Sequence, residues 1–215
     1  MSQRLARICF AFTAVLVAVA LAIQIPVSAT AKGTHFATPW PNVANLIFFF
    51  TIDSNLIVGV TCALLAINLN RTSTVFQVFR FAGILGIAVT GFIYNTVLAG
   101  LATLTPWGKV SDTILHIIVP IVAILGWLIF GPRGQTSWRI AALALLFPII
   151  WLAVSLVRGP IVDWYAYPFL YVDTLGYAKV LRNCLAISIL VIGLAAAFVG
   201  FDSWIKQRLE RPRRP

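Results

Sequence analysis

At 215 residues, 60% of them hydrophobic and 10% charged, with a mean hydropathy of +0.96, the chain is too apolar for an ordinary soluble domain. Its net charge of +10 would suit nucleic acid, but the basic residues are strung along the gaps between apolar runs rather than gathered on one patch, so no nucleic-acid partner is expected. A bilayer core needs about 20 helical residues per crossing, and six runs meet that length: 8–29, 43–67, 79–101, 111–130, 138–157 and 180–203.

The first run follows Arg4 and Arg7 and ends at Val27-Ser28-Ala29-Thr30-Ala31, the outline of a signal peptide. Its apolar stretch is longer than a usual signal core, so it is read as a retained span. Thr38-Pro39-Trp40-Pro41-Asn42 breaks the chain before the second run, with Asn42 as candidate cap. Turns follow at 68–73, 103–108 and 131–134. After the fifth run, 158–177 places Trp164, Tyr165, Tyr167, Phe169 and Tyr171 between Asp163 and Asp173. That stretch is too polar and broken to span; an interfacial anchor and a lid over the bundle are both open. Trp40, Trp107, Trp138, Trp164 and Trp204 mark span ends, as an aromatic belt would. Cys9, Cys62 and Cys184 have no metal-ligand spacing, and no cofactor motif is present.

Taking the N-terminus as cytoplasmic, eleven of the sixteen basic residues fall on the inner side, Arg71, Arg80 and Arg133 among them. The outer side keeps Lys32, Lys109, Arg158, Lys179 and Arg182. This is the positive-inside pattern. The expected fold is therefore all-α: a polytopic membrane protein with six transmembrane helices in one bundle, a single domain over 1–215, and N- and C-termini cytoplasmic. The basic tail within 204–215 would contact anionic lipid.

Chemistry inside the membrane is limited to a few polar groups. Thr51-Ile52-Asp53-Ser54-Asn55 lies in the second run, counted about eight residues below its start at 1.5 Å each. His116 lies about five residues into the fourth on the same basis. Tyr94 and Asn95 in the third run and Arg158 after the fifth complete one polar layer. At 100° per residue Thr51, Ser54 and Asn55 share a helix face, while Asp53 points to the other side without an assigned role. Asp112 and His116 are an i, i+4 pair. A carboxylate orienting an imidazole, with a threonine hydroxyl near, is the logic of acyl transfer; Asn55 or Asn95 would donate to the oxyanion. Plainer roles compete: Thr51 bonding its i−4 carbonyl, Asn55, Asn95 and His116 linking helices, and Asp112 as a helix-start charge. His35 lies in an outer loop with no evident part.

Phe50-Thr51-x-x-Ser54-Asn55, Tyr94-Asn95, Asp112-x-x-x-His116-x-x-x-Pro120, Arg158-Gly159 and Tyr165-x-Tyr167-Pro168-Phe169-Leu170 occur in that order. The set resembles the bacterial branch of the androgen-induced-gene-like family, which includes the androgen-dependent TFPI-regulating protein. The resemblance covers about 10–203. It implies a six-span protein of the bacterial plasma membrane and, by vertebrate members, a threonine hydrolase of fatty acid esters with Thr51 as nucleophile and His116 as base. Asp53 makes the segment more acidic than the family pattern. The expected function is hydrolysis of a lipid ester in the outer half of the bilayer, with Arg158 on a substrate carboxylate or phosphate. The rivals are a non-catalytic protein that binds or moves a lipid or small solute, and a structural partner of an envelope complex.

Overall fold

The computed structural model describes residues 2–210, so the basic stretch 211–215 lies outside the described residues. Among the described residues six helices are long and apolar enough to cross a membrane: α1 Gln3–Ala29, α2 Phe50–Ile67, α3 Thr74–Leu98, α4 Pro106–Phe130, α5 Trp138–Val162 and α6 Tyr177–Leu209. The chain is a multi-pass membrane protein, and an even number of crossings puts both ends on one side.

Three of the six helix starts follow from local chemistry. Ser73, Thr105 and Ser137 cap α3, α4 and α5, their hydroxyls accepting from the N–H of Phe76, Gly108 and Ile140. The second span departs from expectation. Instead of starting at 43 it begins at Phe50, because Pro39 and Pro41 nucleate a separate short helix, Pro39–Ala44, followed by a tight turn, Asn45–Phe48. Phe49 is then extended, with φ −88° and ψ 121°. Asn42 caps nothing; its amide donates to Phe36 O. α6 continues through 204–209, which the sequence assigned to a tail.

α3 is the hub. It touches α2, α4, α5 and α6 and is the most extensively buried of the six. Without a hydrophobic drive inside lipid, helices associate through close contact, and small residues allow it. Gly86 shows the need: a Cβ there would lie 2.6 Å from Ser54 Oγ on α2. One buried cluster gathers α3, α5 and α6 with the 158–177 segment; the other gathers α1, α2 and α4 against α3.

The aromatic segment settles between its two alternatives. Asp163 adopts a left-handed conformation at φ 50° and ends α5. The chain then folds back into the bundle, burying Tyr165, Tyr167 and Leu170. An interfacial anchor is not what forms. The Tyr165 ring lies directly on Gly159, where any side chain would collide with it. Trp164 is drawn inward against Phe36 and Phe49, whereas Trp40, Trp107, Trp138 and Trp204 stay exposed as belt residues.

At the opposite end, two residues correct the sequence view of the charges. Arg80, counted among the inner-side basic residues, is buried in α3 beside Phe10 and donates to Gln135 Oε1. Asp202, within the last span, is 1% exposed and accepts from Gly134 N, Thr136 N and Thr136 Oγ1, with Arg133 3.9 Å away. This carboxylate fastens the 131–137 turn to α6. Asp202→Ala removes the carboxylate partner of Arg133 and leaves two backbone donors unpaired, and is expected to lower unfolding stability in detergent micelles by about 3–5 kcal/mol, with Asp202→Asn losing less.

Candidate functional site

The site is organised by a missing hydrogen. In α4 the turn Ile114–Ile118 is a π-helix, in which Val119 N–H reaches back to Ile114 O. That diverts the donor Leu115 O would ordinarily receive. Four residues beyond His116 stands Pro120, which has no N–H to offer His116 O. Two adjacent carbonyls are thereby released inside an apolar medium, where each needs a partner. Asn55 of α2 donates to Leu115 O at 3.2 Å and to Thr51 O at 2.8 Å. Asn95 of α3 donates to His116 O at 3.4 Å and to Gly91 O at 2.7 Å. Asn95 itself lies in a second π-helical turn, Tyr94–Leu98, which packs against the first. Turns of this kind concentrate at functional sites.

Both asparagines therefore commit their amide hydrogens to helix carbonyls, the linking role that sequence reading weighed against oxyanion donation. Asn55 Oδ1, Ser54 Oγ and Thr90 Oγ1 are buried without a hydrogen-bond partner among the described residues.

Around the π turns stands a compact triad. His116 Nδ1 is 3.0 Å from Asp112 Oδ1 and 3.0 Å from Asp112 O. Both neighbours are acceptors, so Nδ1 carries hydrogen, and in the neutral ring Nε2 is the nitrogen that holds the lone pair. The Tyr94 hydroxyl donates to the other oxygen of the Asp112 carboxylate, and its ring stacks on the imidazole with centroids 4.0 Å apart. Asp112 is thus an orienting partner for His116 rather than an isolated helix-start charge.

Thr51 is built differently from the expectation. It is the second residue of α2, not eight residues down a longer helix, so its N–H is one of the unpaired donors of a helix start. That N–H donates to Tyr167 OH at 3.2 Å, and Thr51 Oγ1 lies 3.2 Å from the same phenol. It does not bond its i−4 carbonyl. Burial pushes the Tyr167 phenol up to about 12, so its O–H remains available as a donor. Sequence quoted Tyr167 in a motif but gave it no task; its fold-back onto α2 is a tertiary event that no local pattern announces.

Thr51 and Tyr167 line a cavity of about 200 Å³ between α2, α3, α5 and α6, where Thr90 and Ser188 supply the other hydroxyls. The rest of its wall is almost wholly apolar, with Val89, Ile93, Leu98, Trp151, Leu152 and Val191 prominent. Ile149 of α5 and Ile192 of α6 line it and are also exposed, so it opens sideways toward lipid. His116 does not line this cavity, and no hydrogen bond joins it to Thr51. The two halves meet through Asn55, whose one amide holds Thr51 O and Leu115 O together. Arg158 is also occupied: it donates to Asn45 Oδ1 at 2.8 Å and stacks over Phe48 with Trp164 near. Asp53 lies on the far face of α2, as the helical phase predicts.

Among the described residues no group of three or more His, Cys, Asp or Glu is placed to hold a metal ion, and the three cysteines are free thiols. No family model matches the chain, and neither the curated proteins nor the solved structures yield a match.

Asn55→Leu strands Leu115 O and should cost about 1–3 kcal/mol in thermal or denaturant unfolding. Pro120→Ala restores an N–H to α4, so Asn95→Ala should cost less in that background than alone. A double-mutant cycle should return a coupling of about 0.5 kcal/mol or more.

Proposed function

We propose that the protein is a membrane-embedded hydrolase of fatty acyl esters, with Thr51 as nucleophile and His116 as general base. The observation that carries this reading is the placement of Thr51, bonded to Tyr167, on the wall of a largely apolar cavity open to lipid. An acyl chain entering between α5 and α6 brings its ester to the start of α2. Thr51 Oγ attacks the carbonyl carbon while its proton passes to His116 Nε2. The oxyanion then faces the positive end of α2 and the Tyr167 O–H. Its collapse breaks the bond to the alcohol, which departs with the proton from His116. Water, giving a proton to His116, attacks the acyl-threonine; collapse breaks the acyl–Oγ bond, Thr51 Oγ takes that proton back from His116, and the fatty acid leaves.

Asp112 and Tyr94 hold the imidazole in the tautomer this sequence requires. The ordered motifs that resemble the androgen-induced-gene-like family support the same pair of residues. With both termini cytoplasmic, as the basic residues favour, the site lies in the outer half of a bacterial plasma membrane. The hydroxyl and the imidazole are not bonded to each other, so proton transfer requires a rearrangement that brings them together; catalytic contacts often tighten only in the substrate complex.

That same separation favours a second reading, a lipid carrier or receptor in which the cavity binds an acyl chain without cleaving it. A fluorophosphonate probe and a panel of lipid esters, applied to the purified protein, divide the two. The hydrolase reading expects covalent labelling and turnover that disappear in Thr51→Ala and His116→Ala. Tyr167→Phe should fold and lose about 100-fold in kcat with little change in KM. Binding of a fatty acyl ester with neither labelling nor turnover would instead select the carrier.

A further inference from the structure

A second cavity, of about 500 Å³, lies on the other side of α2, between α2, α3 and α5. We infer that it is a separate ligand site, for a protonated amine borne on a single apolar chain.

Its wall holds one charged group. Asp53 projects into a groove otherwise made by Ile57, Phe79, Ala82, Phe147, Ile150 and other apolar side chains, with the Ser155 hydroxyl as the other small polar group. The Asp53 carboxylate makes no hydrogen bond or ion pair among the described residues, and no basic residue lines the groove. Arg158, near the same end of α5, is held by Asn45 and Phe48. The Trp151 indole N–H, on the shared wall with the first cavity, is bound to Phe48 O at 3.1 Å.

An unpaired carboxylate at such a place is costly, and intramembrane ionisable groups are retained where they face a partner or a pathway. The chain supplies no cation here, so the complement must come from outside. A protonated amine answers the carboxylate, and the apolar remainder of the groove suits the chain that bears it. Phe79, Leu146, Ile150 and Val154 line the groove and are exposed, so its open side faces lipid and an amphiphile can enter laterally. The volume falls within the about 300–1,000 Å³ usual for small-ligand sites, which favours one chain over a two-chain phospholipid. None of this depends on Thr51 or His116.

The test uses full-length protein in nanodiscs at pH 7, with decylamine, decanol and decanoate as probes, read by thermal shift and native mass spectrometry. Decylamine should raise Tm and appear as a bound adduct, with decanol and decanoate inactive. Asp53→Asn should weaken decylamine at least tenfold. Val154→Trp, which fills the groove and leaves Asp53 in place, should abolish the shift and keeps the inference testable if Asp53→Asn does not fold. An equal response to decanol, or an unchanged response in either variant, overturns the site. Displacement of decylamine by phosphatidylethanolamine overturns the single-chain assignment.

Discussion

One absent N–H governs the centre of this protein. Pro120 cannot donate to His116 O, and the π turn before it diverts the donor of Leu115 O. In water such carbonyls would be hydrated at little cost; within hydrocarbon they must be met by protein. Asn55 and Asn95 reach them from two other helices, so α2, α3 and α4 are fixed to one another at the level of His116. At the same level the imidazole lies beside Asp112 and against the Tyr94 ring. Polar residues that look like a reaction centre in sequence are therefore first a joint. Chemistry, if built there, uses the precision the joint supplies.

The second constraint is the interrupted approach to α2. An unbroken helix from 43 would have placed Thr51 in mid-helix, its N–H used by the backbone and its hydroxyl drawn to the preceding turn. The break at Phe49 turns Thr51 into a first-turn residue with an unpaired N–H. The 158–177 segment then returns Tyr167 to that free donor. Gly159 permits the return because the Tyr165 ring occupies the space a side chain would need. A local break and a distant loop are thus complementary, and neither makes sense alone.

The distinction between what sequence disclosed and what it hid follows the range of the interactions. Six crossings were legible because membrane thickness imposes a length on every apolar run. The Asp112–His116 pair and the opposed direction of Asp53 were legible because both depend only on helical periodicity. The start of α2 was missed because apolar residues continue smoothly across Phe49 while the two prolines act upstream. Asp202 was missed because a carboxylate at the end of a long apolar run looks like a boundary residue, and its partners lie in the 131–137 turn. Tyr167, Trp164 and the occupied Arg158 owe their positions to a chain reversal that composition does not specify.

Thr51 and Asp53 occupy the first turn of one helix and face separate cavities, with Trp151 on the wall of both. Their proximity has an electrostatic consequence. A carboxylate near the start of α2 opposes negative charge building at Thr51, by an amount of order 1–2 kcal/mol at the effective dielectric of protein interiors. The helix N-terminus offsets part of this, since its dipole favours both negative groups. A cation resting on Asp53 would remove the remainder without touching the nucleophile. Occupancy of one cavity would then lower the barrier to charge formation in the other, with no movement of the backbone between them. By the same Coulombic reasoning, neutralising Asp53 by substitution would raise the rate at Thr51 even as it destroys the amine site, so the two proposals leave opposite signatures in a single variant.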